Sequence, residues 1–190
     1  MMTITKKYTF EYAHVVRGAY SERCKYNIHG HSGVVEVTLA ADKLDDSGMV
    51  LDFGHMQMVS AVIDLLDHAT LLWELEDQEV KDFFLNNFRR VVIMSVNTTA
   101  ENIAAAIFHY IHLWLNATSA ASERGLHVES VTVHETARGK ATCHSYDDLA
   151  LYSFFVDVKG DHREGALHTL LSAYSSDMRE SYKIVGEDLQ

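Results

Sequence analysis

The sequence predicts an α+β fold, an antiparallel sheet with helices packed on it. Three observations carry that expectation. Strand patterns and helix patterns come in runs, not in strict alternation: two strands, two helices, one or two strands, then a further strand and helix. Two helical segments carry apolar stripes at spacings of three and four. The 190 residues contain no proline, against about 5% in average proteins. This argues against a polyproline segment, a proline-rich linker or two domains on a stiff hinge.

The elements follow in order. Over Thr3–His14, Tyr8, Phe10, Tyr12 and His14 share one face at period two, a strand. Residues 15–28 are polar and irregular, with Arg17, Arg23 and Lys25, and read as a loop. His29–Asp42 alternates again, with Val35, Val37 and Leu39 on one face. Asp45-Asp46-Ser47-Gly48 is turn chemistry. Asp52 is placed to cap a helix from Phe53 to Leu66, with Met56, Val59, Ile63 and Leu66 as its stripe. Residues 69–96 are ambiguous, with a short helix expected at Gln78–Asn87. Thr98-Thr99-Ala100-Glu101 has capping-box spacing and opens a helix to Asn116, with Ile103, Ile107, Tyr110 or Ile111, and Trp114 on one side. Val128–Thr136 and residues 141–145 read as strands. Leu149–Lys159 reads as a further strand, with Tyr152, Phe154, Val156 and Val158 on one face, and Gly160-Asp161 introduces a helix to Met178. Residues 1–146 are expected to form one domain, with 147–190 a strand–helix extension of it.

Sixteen basic residues stand against 27 acidic, a net charge of −11. Such a surface repels nucleic acid and anionic membranes, so neither is expected as a partner, though a local basic pocket for an anionic small molecule is allowed. No apolar run approaches membrane-spanning length, and no charged segment leads into an apolar one at the N-terminus. A cytoplasmic, reducing setting is expected, with Cys24 and Cys143 as free thiols.

The 12 histidines direct attention to metal chemistry. The strongest constellation is His14 with His29-Gly30-His31. Positions i and i+2 of a strand face the same way, so His29 and His31 can grip one ion, and His14 at the end of the preceding strand can supply a third imidazole. Three imidazoles and an open position make a catalytic zinc arrangement. The competing reading is two surface histidines near a turn and an unrelated core histidine. Cys24 lies in the loop leading to His29, between Arg23 and Lys25, where cations favour a thiolate. The alternative there is a passive loop thiol. Asp67-His68 is either an orienter and proton shuttle or a helix-end cap with a solvated ring. Glu135, at a strand end, is either exposed or able to accept two parallel hydrogen bonds from an amidine-like edge.

These signals occur in a familiar order. Phe10-Glu11-Tyr12-Ala13-His14 is followed by Cys24 and His29-Gly30-His31, then by Gly48-Met49-Val50-Leu51-Asp52-Phe53 and Leu66-Asp67-His68. Thr98-Thr99-Ala100-Glu101-Asn102 and Val133-His134-Glu135-Thr136 complete the series. The set resembles the 6-pyruvoyltetrahydropterin synthase / 6-carboxytetrahydropterin synthase family over residues 3–145.

The resemblance implies a tunnelling fold: a four-stranded antiparallel sheet with two helices on one face, closing barrels in trimers stacked into hexamers, with active sites at subunit interfaces. It implies 7,8-dihydroneopterin triphosphate as substrate and zinc (Zn2+) as cofactor. His14, His29 and His31 would hold the metal, Cys24, Asp67 and His68 would transfer protons, and Glu135 would anchor the pterin with Thr98 and Thr99 lining its pocket. From local charge alone, Arg17, Arg23 or Lys25 is expected to meet the triphosphate. The four residues between Cys24 and His29 are intermediate between the shorter spacing usual in carboxy-type members and the longer one usual in pyruvoyl-type members. Tyr12 stands where a small residue is frequent, no proline precedes Thr98, and the chain beyond residue 147 exceeds the minimal pattern. The compact Cys24 loop and the Ala13-His14 motif favour the carboxy-type lyase of the queuosine route. The alternatives are the pyruvoyl-type lyase, a non-catalytic pterin-binding paralogue and a histidine-rich metal carrier.

Overall fold

Strands β1 (Met2–His14) and β2 (His29–Ala41) pair antiparallel along their whole length in the computed structural model, which describes residues 1–144 and 154–160. Alternation gives the pair two chemically different faces. Phe10, Tyr12 and His14 lie on the same side as Val35, Val37 and Leu39, all buried. The opposite face carries polar cross-strand partners: Thr5 with Thr38 (2.9 Å), Lys7 with Glu36 (2.7 Å) and Glu11 with Ser32 (2.7 Å). A one-residue slip would exchange the two faces, so burial of the apolar one specifies the register.

The sheet is larger than the four antiparallel strands expected. β5 (His127–His134) and β6 (Lys140–Cys143) continue the antiparallel arrangement beyond β2. On the other side, β3 (Ala69–Trp73) and β4 (Val91–Met94) pair parallel to β1 and to each other, and β7 (Phe155–Lys159) closes the order β6-β5-β2-β1-β3-β4-β7. β3 and β4 lie in the stretch the sequence leaves ambiguous. Val91-Val92-Ile93-Met94 is buried at every position, and a short continuous apolar run has no period that separates strand from buried helix.

Two main helices pack on the apolar face. α2 (Gln57–Leu66) lies against β1 and β3, and α4 (Ala100–Asn116) lies over β5 and β6 and against α2. The stripe Met56, Val59, Ile63 and Leu66 is buried as expected, but Phe53–His55 is a separate 3-10 turn, capped when the Asp52 carboxylate accepts from Gly54 N. In α4, Ile103, Ile107 and Ile111 are fully buried, each stabilising by about 1.5–3 kcal/mol. The cap of α4 is Thr99, whose hydroxyl accepts from Asn102 N, in place of the Thr98 that the spacing suggests. Thr98 is drawn away by tertiary contacts described below.

Smaller elements fill the connections. The loop expected over 15–28 contains the short helix α1 (Glu22–Tyr26), with Cys24 at its middle. α3 (Gln78–Asn87) has the bounds read from the sequence, and α5 (Ser119–Arg124) ends at Gly125, whose φ of +64° suits a residue without Cβ. Of the strand expected over Leu149–Lys159, residues 149–153, and so Tyr152, lie outside the described residues, as does the helix expected to Met178. Phe154 is buried, but Val156 is exposed, so the expected single apolar face of that strand does not hold. β7 is anchored to α4, where the Tyr110 hydroxyl accepts from Phe155 N (3.2 Å) and the two rings stack at 4.7 Å. Among the described residues, no helix is long and apolar enough to cross a membrane, and both cysteines are free.

Gly33 stands opposite Phe10, and a Cβ there would lie 2.5 Å from the Phe10 ring. Phe10 is buried and stacked on Tyr12 at 4.7 Å, so it has little room to yield. Gly33→Ala is therefore expected to destabilise the fold by about 1–3 kcal/mol through overpacking. Urea denaturation measures this, and a variant as stable as the wild type would show that the ring moves freely.

Candidate metal centre and active site

The β1–β2 register places His14 directly across from His29 and Tyr12 across from His31. The three imidazoles therefore converge at one end of the apolar face. One ring nitrogen from each of His14, His29 and His31 lies within 4.8 Å of the others. Ring centroids are 4.6 Å apart for His14–His29 and 5.0 Å for each of the other two pairs. This is the one such grouping of potential metal ligands among the described residues.

The donor set fits a divalent metal. His14 is fully buried, and its Nδ1 is 2.6 Å from the Thr98 carbonyl, so Nδ1–H donates and Nε2 keeps a lone pair. His29 Nδ1 makes the same kind of bond to the Asn27 carbonyl at 3.1 Å. The buried Nε2 atoms of His14 and His31 have no hydrogen-bond partner. Burial pushes the His14 pKa down to about 4, against the contrary pull of the Thr98 carbonyl and aided by repulsion from His29 and His31. The ring is neutral at pH 7, the state a metal requires.

Glu135 follows β5 and enters a tight turn in which Glu135 N and Thr136 N both donate to the Gly139 carbonyl. Its Oε1 is 3.4 Å from His14 Nε2 and 3.7 Å from His31 Nε2, a neighbour outside good hydrogen-bond geometry with either ring. Tyr12 adds a fourth aromatic ring, 5.2 Å from His14 and 5.4 Å from His31. Burial raises its hydroxyl pKa far above the ordinary value, and the Glu135 charge adds to the rise. Its period-two position beside His14 is the signal that could have marked it as a site residue.

Thr98 is buried behind His14. Its hydroxyl donates to the Val15 carbonyl (2.9 Å), its N–H donates to Asn97 Oδ1 (3.0 Å), and its carbonyl holds His14. Thr99 uses its hydroxyl on the α4 cap. Cys24 is half-buried, and its carbonyl accepts from Val16 N at 3.0 Å. Asp67 and His68, between α2 and β3, bond to Glu11 of β1: Asp67 Oδ1 accepts from Glu11 N (2.8 Å), and His68 N donates to the Glu11 carbonyl (2.5 Å). Asp67 Oδ2 is 3.0 Å from His68 Nδ1, and the His68 side chain is 70% exposed and not among the three grouped histidines.

His68 is the one non-glycine residue with positive φ (+58°) among those described. This left-handed conformation is uncommon outside glycine. It is held by the contacts to Glu11 and by Arg90, whose Nε donates to the Asp67 carbonyl (2.8 Å) and whose Nη2 donates to the Asp64 carbonyl. Arg90 carried no sequence signal. Arg17 is committed to a bidentate pair with Glu76 and so is not a free cation for a triphosphate.

Comparison with known proteins places these features. Residues 3–145 match the family described as 6-pyruvoyl tetrahydropterin synthase. A Helicobacter pylori protein (strain J99) named 6-carboxy-5,6,7,8-tetrahydropterin synthase is 33% identical over 198 aligned positions, covering 100% of this chain and 94% of that protein. An Aquifex aeolicus protein of the same name is 31% identical over 157 positions, 73% of this chain and 94% of that one. A solved Wolinella succinogenes protein superposes with a TM-score of 0.60 at 22% identity, over 76% of this chain and 98% of that one. The Caenorhabditis elegans 6-pyruvoyl tetrahydropterin synthase superposes with a TM-score of 0.54 at 24% identity, over 76% and 95%. The structural likenesses identify the tunnelling fold, and the chain belongs to the 6-pyruvoyl tetrahydropterin synthase family. The family match ends at residue 145, whereas the Helicobacter pylori relative aligns over the whole chain.

Two buried rings make a pH prediction. His109, like His14, is held down to about 4 by burial first and by His112 second. In the unfolded chain both rings take up a proton near pH 6.5. Between these values the unfolded state binds more protons, so stability present at pH 7 is lost as pH falls toward 4. The loss is at most about 3 kcal/mol per ring. Denaturant melts of chelator-treated protein at pH 7 and pH 5 test this, and equal stabilities would refute it.

Proposed function

We propose that the protein is a zinc-dependent lyase that converts 7,8-dihydroneopterin triphosphate and water to 6-carboxy-5,6,7,8-tetrahydropterin, acetaldehyde and triphosphate, the queuosine-route reaction. The carrying observation is a three-imidazole grouping with buried, unpartnered Nε2 atoms, in a chain that aligns end to end with a protein named for that synthase. In this reading residues 1–146 are the catalytic domain and 147–190 its extension. The setting is the cytoplasm, and the substrate is a small molecule, without nucleic acid or membrane.

His14, His29 and His31 hold Zn2+. The metal, when bound, supplies a Lewis acid that polarises the substrate's side-chain hydroxyls. Glu135 accepts two parallel hydrogen bonds from the amino-pyrimidine edge and so orients the pterin. Thr98 supports the site from behind, fixing the tautomer of His14, and half-buried Thr99 is the one of the pair offered to the pocket wall. Cys24 takes a carbon-bound proton, and His68, oriented by Asp67, returns or relays one. Arg23 and Lys25 are the cations offered to the triphosphate. Homo-oligomers, trimers or hexamers with sites at subunit interfaces, suit the exposure of His68, which a neighbouring copy would use.

Three experiments decide. Zinc-loaded protein incubated with dihydroneopterin triphosphate is expected to release acetaldehyde and the carboxy-pterin, identified by mass. A pyruvoyl product without acetaldehyde would make this the pyruvoyl-type lyase, and no turnover would leave a pterin-binding paralogue. Metal analysis is expected to find about one zinc per chain, lost in His29→Ala, since a catalytic site uses one ion on three histidines. Several equivalents would indicate a metal carrier. Cys24→Ala is expected to lower kcat by about 100-fold or more, and unchanged turnover would remove Cys24 as the base.

A further inference from the structure

The segment carrying Cys24 is held by a charge pair that none of the roles above uses. Two consecutive carbonyls fix it: Cys24 O accepts from Val16 N (3.0 Å), and Lys25 O accepts from Arg17 Nη1 (2.9 Å). Arg17 has no freedom of its own. Its Nε and Nη2 grip the two carboxylate oxygens of Glu76 at 2.7 and 2.8 Å, 59 residues away in sequence. Glu76 is buried in the turn after β3 and also accepts from Asp77 N at 3.2 Å. Burial alone would raise its pKa, but the bonds from Arg17 and Asp77 hold it below the ordinary carboxylate range.

The same residue reaches the metal side. The Arg17 carbonyl accepts from Asn97 Nδ2, Asn97 Oδ1 accepts from Thr98 N, and the Thr98 carbonyl holds His14. Arg17 is thus the joint between the Cys24 segment and the support of His14. A bidentate pair fixes the plane of the guanidinium as well as its position, which lysine's single ammonium does not.

We propose that Arg17 and Glu76 are positioning residues that set where Cys24 stands relative to His14, His29 and His31. This rests on the reading of Cys24 as a proton-transfer group. A shift of about 1 Å in a reacting group can cost on the order of 100-fold in rate, so loss of the pair should appear mainly in kcat.

The test uses the full, zinc-loaded chain with Glu76→Gln and Arg17→Lys. Arg17→Lys keeps the positive charge, so the question stays answerable if Glu76→Gln does not fold. Iodoacetamide alkylation, followed by peptide mass mapping, reads Cys24 separately from buried Cys143. Each variant is expected to change the Cys24 alkylation rate by about fivefold or more and lower kcat by about 10- to 100-fold, with KM and zinc content near wild type. Alkylation within about twofold of wild type in both variants would overturn the proposal, even if Cys24→Ala is inactive. Altered alkylation with unchanged kcat, in an enzyme that Cys24→Ala inactivates, would overturn it too. If Cys24→Ala keeps full turnover while alkylation shifts, the pair positions the segment and the catalytic reading of Cys24 is what fails.

Discussion

Antiparallel pairing of β1 with β2, thirteen residues against thirteen, is the constraint on which the rest depends. It sets Phe10 against Gly33, Tyr12 against His31 and His14 against His29. Those pairs occupy one face because side chains alternate along a strand. The apolar members of that face build the core with α2 and α4, and the imidazoles terminate it. Fold and site are therefore one arrangement: the hydrophobic burial that specifies the register also specifies which histidines meet.

Burial has a second consequence at the same place. A ring as enclosed as His14 cannot be charged cheaply, and its Nδ1 must find an acceptor. The Thr98 carbonyl supplies one from 84 residues away. That need draws Thr98 inward, so the cap of α4 passes to Thr99. Glu76 and Arg17 show the same physics with charge: a buried carboxylate is tolerated because a guanidinium meets both its oxygens.

Much was legible beforehand. The helix at Gln78–Asn87, the end of α4 at Asn116 and the apolar stripe of α2 follow local patterns, and the structure has them. The strands β3 and β4 were not legible, because short apolar runs lack a period. Of the histidines, the His-Gly-His spacing predicts a shared face and the structure confirms that placement. Several others have local partners: His127 lies 3.3 Å from Glu129, His134 lies 3.2 Å from Glu36, and His112 lies 2.6 Å from Asn116 Nδ2. Arg17 shows the limit from the other side. Its charge suggested a phosphate contact, but its guanidinium is engaged by Glu76.

The sequence by itself determined which residues share a face, where the main helices run, and that three imidazoles could converge. These follow from backbone periodicity, which a few neighbouring residues reveal. Only the tertiary structure decided the parallel addition of β3 and β4, the support of His14 by Thr98, the clasp of Arg90 on the Asp67–His68 turn, and the engagement of Arg17. Each of these is a contact between residues far apart in the chain, governed by which buried polar groups find partners once the core has closed.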